Sequence, residues 1–323
     1  MTVTRRRFLH KSMLACAGAS VFTTFIPRVT GPITSSDRHN RLVIIFLRGG
    51  ADGLNMVVPH GEAAYYAMRP SINIPKSAVL DLDGFFGLHP AMSGLKPLWN
   101  GGQLAIVHAA GSPNSCRMHF EAQDFLESGI TGVRDAGSGW MGRVNRGRTV
   151  IHSPGENFHN TVMRLSQFIR DNPQTQMLSS EVGGWDHHSG QGSSQGSMTP
   201  LLETFSQTLT SFWGDLGALR ETTVVITVSE FGRSLRENNR GGTDHGHGNV
   251  MFVLGAKVKG KKVYGDWPGL AVSQLHEGRD LAVTTDYRRV LGEIVHRHLG
   301  DKELDNIFPG FDNDPANFLN LLG

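Results

Sequence analysis

In the stretch GGTDHGHG, residues 241–248, Asp244, His245 and His247 stand between glycines directly before an apolar run. Glycine lets backbone approach closely, and neutral imidazole is the commonest protein metal ligand. The stretch also fits an ordinary polar loop ahead of a strand, so the rest of the chain has to weigh in. Two other segments carry the same chemistry: Gly183-Gly184-Trp185-Asp186-His187-His188 and Ser229-Glu230-Phe231-Gly232-Arg233. A third, Arg48-Gly49-Gly50-Ala51-Asp52-Gly53-Leu54-Asn55, adds a further acid among glycines. In extended backbone residues i and i+2 share a face. Asp186 and His188 are therefore expected to converge, with His187 turned away. His245 and His247 can converge likewise, leaving Asp244 opposite or in a supporting role. The candidate metal ligands are Asp52, Asp186, His188, Glu230, His245 and His247. Imidazoles and carboxylates without a thiolate suit Zn, Mn or Fe better than Ca. Two ions about 4 Å apart would use so many ligands.

Elements must bring these residues together. Leu42–Leu47, Leu104–His108, Thr223–Val228 and Val250–Leu254 are apolar runs rich in β-branched residues. Continuous rather than alternating apolarity predicts strands covered on both faces. Between them, Pro200–Arg220 places Leu201, Phe205, Leu209, Phe212, Leu216 and Leu219 at helical spacing. Phe158–Asp171 and Thr285–Leu299 read as helices too, the latter with Thr285 as N-cap. The alternation predicts an α/β fold with a mostly parallel sheet sandwiched by helices. Each polar cluster at 48–55, 111–119 and 229–233 follows the carboxyl end of a strand, where open α/β sheets build their sites. Residues 183–188 are expected to follow another short strand.

The amino-terminal end reads as an export leader. Arg5-Arg6 lies in Thr4-Arg5-Arg6-Arg7-Phe8-Leu9, and an uncharged run follows from Ser12 to Ile26. That run falls short of the roughly 20 apolar residues a membrane span needs, so no stable transmembrane span is expected. Ala17-Gly18-Ala19 offers a small-x-small cleavage site. The expected organisation is a twin-arginine signal and linker at 1–36, then a single domain at 37–323. Its localisation would be periplasmic or secreted, with the twin-arginine translocase as a transient partner. Cutting after Ala19 removes Arg5, Arg6, Arg7 and Lys11 and no acid, which turns the formal charge of +2 negative. No basic footprint for nucleic acid survives. Of the two cysteines only Cys116 would remain, so no intramolecular disulfide is expected.

Taken as a set, these motifs resemble the domain-of-unknown-function 1501 family. The residues concerned are Leu47–Asn55, Phe86-Gly87-Leu88-His89-Pro90, Gly183–Asp186 with His188, Ser229–Arg233, Gly242–Gly246 and Thr284–Tyr287. Members are exported bacterial proteins that resemble the alkaline phosphatase and sulfatase superfamily. The resemblance implies an alkaline phosphatase-like fold. It also implies a metal-dependent hydrolase of phosphate or sulfate esters, with a small anionic ester as substrate. Asp52, Asp186 with His188, Glu230, and His245 or His247 match the superfamily's metal positions, although Glu230-Phe231 stands where Asp-His is common. The loop 111–119 matches the nucleophile position, which makes Ser115, Cys116, Arg117 and His119 the candidate catalytic residues. Relatives often read Arg-Ser-His-Phe there. This chain reads Arg117-Met118-His119-Phe120, a thioether in place of a hydroxyl. Ser112, Ser115 and Cys116 are nearby substitutes, although Cys116 reads first as a small buried thiol. Arg48, Arg117 or Arg233 could clamp an ester anion. The alternative reading is a non-catalytic periplasmic binding or assembly protein on the same fold. An exported redox protein ranks last, because no cofactor fingerprint is present.

Overall fold

Strand β1 (Arg41–Leu47) is buried at every position. Leu42, Ile44 and Phe46 pack into one apolar layer, and Val43, Ile45 and Leu47 into another. A strand can be apolar on both sides only where helices cover both sides, and the computed structural model, which describes residues 39–132, 139–144, 150–153 and 158–323, shows this arrangement. Residues 1–36, expected to form a twin-arginine leader, lie outside the described residues.

After β1, the short strands β2 (Val57–Val58), β3 (Leu80–Asp81) and β4 (Gly87–Leu88) form a small antiparallel sheet. The main sheet continues with β5 (Leu104–Gly111), β6 (Val150–Ser153), β7 (Met177–Val182) and β8 (Thr223–Val228). A hairpin of β9 (Arg233–Glu237) and β10 (Thr243–His245) follows. The chain then re-enters the main sheet as β11 (Asn249–Gly255), β12 (Lys262–Tyr264) and β13 (Thr285–Asp286). The order across the sheet is β12-β5-β11-β8-β1-β7-β6, with β13 also on β5. All pairings are parallel except those of β11, which runs against both β5 and β8. The fold is thus the expected α/β sandwich with a mostly parallel sheet.

Helices Phe158–Asp171 and Met198–Asp215 close one face, where Val162, Leu165, Phe205 and Leu209 meet β1 and β11. Helix Tyr287–Arg297 closes the other with Val290, Leu291 and Ile294. Two boundaries differ from expectation. The helix expected over 200–220 stops at Asp215, because Gly217 takes a left-handed φ of +53° and a 3-10 turn carries Leu219. The cap of the last long helix is Asp286 rather than Thr285: its carboxylate accepts from Arg288 N at 2.9 Å, while Thr285 is still paired with Ala110 in the sheet. Among the described residues no helix is long and apolar enough to cross a membrane.

Buried imidazoles, His108, His247 and His298, make the fold acid-sensitive. His108 on β5 is 2% exposed. Its Nε2 donates to Val57 O at 3.0 Å, and its Nδ1 accepts from Ala109 N at 2.9 Å. Burial pushes its pKa down to about 4, against about 6.5 in an unfolded chain. Between those values the unfolded state holds a proton that the folded state does not. Stability therefore falls as pH drops through this window, by about 1.4 kcal/mol per pH unit for each such group, and levels off below it. Denaturant unfolding at pH 7 and pH 5 should show this loss, and His108→Gln should make the acid limb shallower. An unchanged limb would refute the assignment.

Candidate metal centre

The antiparallel course of β11 explains how five segments meet. β1, β5, β7 and β8 all deliver their following loops to one edge of the sheet. β11 runs the other way, so its leading residues, 245–248, start from that same edge. Close backbone approach there demands glycine. A Cβ on Gly232 would lie 1.9 Å from Gly248 O, and one on Gly246 would lie 2.3 Å from the Arg233 carbonyl carbon.

His119, Asp186 and His245 come together at this edge, with one ligand atom from each lying within 4.8 Å of the others. Asp186 Oδ1 lies 2.9 Å from His188 Nε2 and 3.1 Å from His245 Nε2, and the two imidazole Nε2 atoms are 3.0 Å apart. His245 Nδ1 donates to Arg117 O at 2.7 Å, so its neutral ring presents a lone pair at Nε2. In that contact His188 is the donor unless its proton moves to Nδ1, which faces Asp244 Oδ1 at 3.4 Å. With that tautomer, His188 Nε2 becomes a fourth ligand atom. His119 Nδ1 donates to Glu230 Oε1 at 2.9 Å, leaving Nε2 buried with no hydrogen bond, 3.5 Å from Asp186 Oδ2. A buried nitrogen lone pair aimed at a carboxylate is costly unless a cation or proton lies between. Imidazoles anchored at Nδ1 by carbonyl or carboxylate are the usual preparation for metal binding at Nε2. The donor set therefore fits a divalent ion of the Zn, Mn or Fe kind.

Electrostatics favour the ionised acids. Burial alone would raise the Asp186 carboxyl, but the hydrogen-bonded guanidinium of Arg233 and the two imidazoles hold it below the ordinary value. Arg233, fully buried, donates to Asp186 Oδ1 at 2.7 Å and to Thr243 Oγ1 at 3.1 Å. Burial likewise pushes Glu230 up, and the donors around it bring it below normal. Burial lowers His245, which keeps its ring neutral.

The other expected ligands sit elsewhere. Glu230 turns its carboxylate to Gly49 N, His119 Nδ1 and Gln123 Nε2, all within 2.9 Å, and so supports His119. His247 stacks on His276 with ring centres 4.0 Å apart, away from His245. Asp52 is buried, accepting from Arg69 Nη1 and Gln191 Nε2, both at 2.6 Å. His187 faces Trp185 O at 3.1 Å, turned from its neighbours. Of the candidate catalytic residues, His119 lies in the cluster and Ser115 is exposed. Cys116 Sγ lies 3.5 Å from Glu121 Oε2. Arg117 contributes its carbonyl, while its guanidinium binds Asp280 and Glu277. Arg48 is paired with Glu127 and Glu181. His119 as a prospective ligand was missed by strand-face alternation because it opens a helix, His119–Ser128. The available signal was the i, i+4 pair His119 and Gln123, which places both side chains on Glu230.

Comparisons with known proteins add the following. No curated protein matches the chain. The C-terminal periplasmic domain of EcEptC from Escherichia coli is similar in structure over 90% of this chain and 92% of that one, at 8% identity and a TM-score of 0.47. A Zn complex of the same domain matches over 72% and 77%, at 8% identity and a TM-score of 0.40. The lipoteichoic acid synthase LtaP from Listeria monocytogenes matches over 71% and 69%, at 8% identity and a TM-score of 0.40. In sequence, residues 164–306, which contain Asp186, His188, Arg233 and His245, match the family described as protein of unknown function (DUF1501), the family that the motifs resemble.

Proposed function

We propose that the chain is an exported, metal-dependent hydrolase of phosphate or sulfate esters. Residues 1–36 would form its twin-arginine leader and 37–323 its single domain. The observation that carries the reading is the convergence of His119, Asp186 and His245 on one point, with His188 beside them and the Nε2 of His119 buried without a hydrogen bond. His119, Asp186, His188 and His245 would hold the ion. When bound, a divalent ion there would polarise an ester oxygen and make its water acidic. Glu230 and the Arg117 carbonyl fix the His119 and His245 rings, and Arg233 keeps Asp186 ionised and oriented.

One observation favours the alternative of a non-catalytic binding protein. Arg48, Arg117 and Arg233 already spend their guanidinium groups on carboxylates, which leaves none of the three free for a substrate anion. Metal analysis of protein purified without chelator, followed by a phosphate- and sulfate-ester panel, separates the readings. A hydrolase should contain about one divalent ion per chain or more, cleave at least one ester, and lose that activity to a chelator with recovery on adding metal. Bound metal without turnover on any ester would leave the binding protein. Absence of metal would refute the centre itself.

A further inference from the structure

Beside the centre lies a cavity of about 440 Å³ that the reaction described above does not use. Met68, Leu235, Val272 and Leu275 form an apolar part of its wall, and Ser234, Arg236, Glu237 and Asn238 a polar part. Val272 is 64% exposed, which makes it one of few large apolar side chains left open to solvent among the described residues. The cavity reaches the centre at Asp244, which lines it and stands 3.4 Å from His188 Nδ1, so the width of one imidazole separates cavity from cluster. Arg279 lines the same junction and donates to His245 O at 2.9 Å. Its nearest acid, Asp280, lies 3.6 Å away and already binds Arg117 at 2.6 Å.

Resting on the hydrolase reading, we propose that this cavity receives the apolar leaving group of the ester, with Arg279 meeting the ester's anionic oxygens at the junction. Cavities of this size hold small organic ligands and draw affinity from apolar walls with a few placed polar groups. An aryl or short alkyl group would cover the Met68, Leu235, Val272 and Leu275 wall and remove it from water. The substrate class we assign is an aryl or short alkyl ester of an inorganic acid.

The test uses phosphonates, which bind without being hydrolysed, on the metal-loaded full chain followed by calorimetry. Phenylphosphonate is expected to bind about tenfold more tightly than methylphosphonate, from burial of one ring. Val272→Asp, at an exposed position, and Met68→Asp, at a half-buried one, should abolish this preference while leaving methylphosphonate affinity and metal content unchanged. Arg279→Ala should weaken both ligands alike. Equal affinities in the unaltered protein, or a preference that survives both aspartates, overturns the cavity assignment and leaves the hydrolase reading standing. Failure of both phosphonates to bind the loaded protein overturns the ester-binding reading of the centre, and the cavity's role with it.

Discussion

Replacing His245 by alanine is expected to lower metal affinity on the order of 100-fold or more, so that the purified variant carries little metal. Changes to groups that merely support a ligand cost 10- to 100-fold, and His245 is placed to be a ligand itself. Its ring meets Asp186, His188 and His119 at once, and its proton is fixed on Nδ1 by Arg117 O. The same change at His247, two residues on, should leave metal content near that of the unaltered chain, because that ring stacks on His276 instead. Elemental analysis and competition with a chromogenic chelator would measure both variants, with circular dichroism to check folding. Equal losses at the two positions would mean that the ion sits elsewhere in the 241–248 stretch.

The second large effect is on stability. Asp52→Ala should destabilise the fold by about 3–5 kcal/mol, the usual result of stranding one partner of a buried ion pair. Arg69 is fully enclosed and donates to Asp52, to Asn55 Oδ1 at 2.7 Å, and to the carbonyls of Leu235 and Ser234. Without Asp52 its charge has no counterpart, and Gln191 Nε2 loses its acceptor. The double change Asp52→Leu with Arg69→Met should recover most of the loss, since apolar replacement of both partners is often neutral or better. Denaturant melts of the three proteins would show it. A loss under about 1 kcal/mol in the single variant would contradict the buried pair. The folded Asp52→Asn protein should keep its metal, which distinguishes the ion pair with Arg69 from a ligand role.

Much of the architecture could be read from the chain. Leu42–Leu47 is apolar at every residue because helices cover both faces, and Val224, Val225, Ile226 and Val228 repeat the pattern on both sides of the next strand. The pairing of Asp186 with His188 was legible for a similar reason: a two-residue spacing needs only local backbone to express itself. His245 and His247 share that spacing but diverge. β10 ends at His245, and Gly246 is pressed against the Arg233 carbonyl, so the strand's alternation does not continue to His247. The pairing of Asp52 with Arg69 was hidden because Arg69 lies beyond two short helices and β2, and no local pattern marks a buried pair. The reversed direction of β11 was equally hidden, since its composition does not differ from that of its parallel neighbours.

That reversal also bears on how the molecule assembles. Val253 and Ile226, paired across β11 and β8, are joined by a short stretch of chain, whereas Leu42 and Met177, paired across β1 and β7, are joined by a very long one. The entropy lost in closing a loop grows with the logarithm of its length, and local pairings form faster than distant ones. The segment carrying Glu230, Arg233 and His245 can thus close on itself. β7, which leads to Asp186, has an equally near partner in β6 but joins β1 across a long loop, and β5, which leads to His119, depends on distant partners. A complete set of donors then exists only once the whole sheet has formed, and an ion that binds there reports the finished fold rather than any fragment of it.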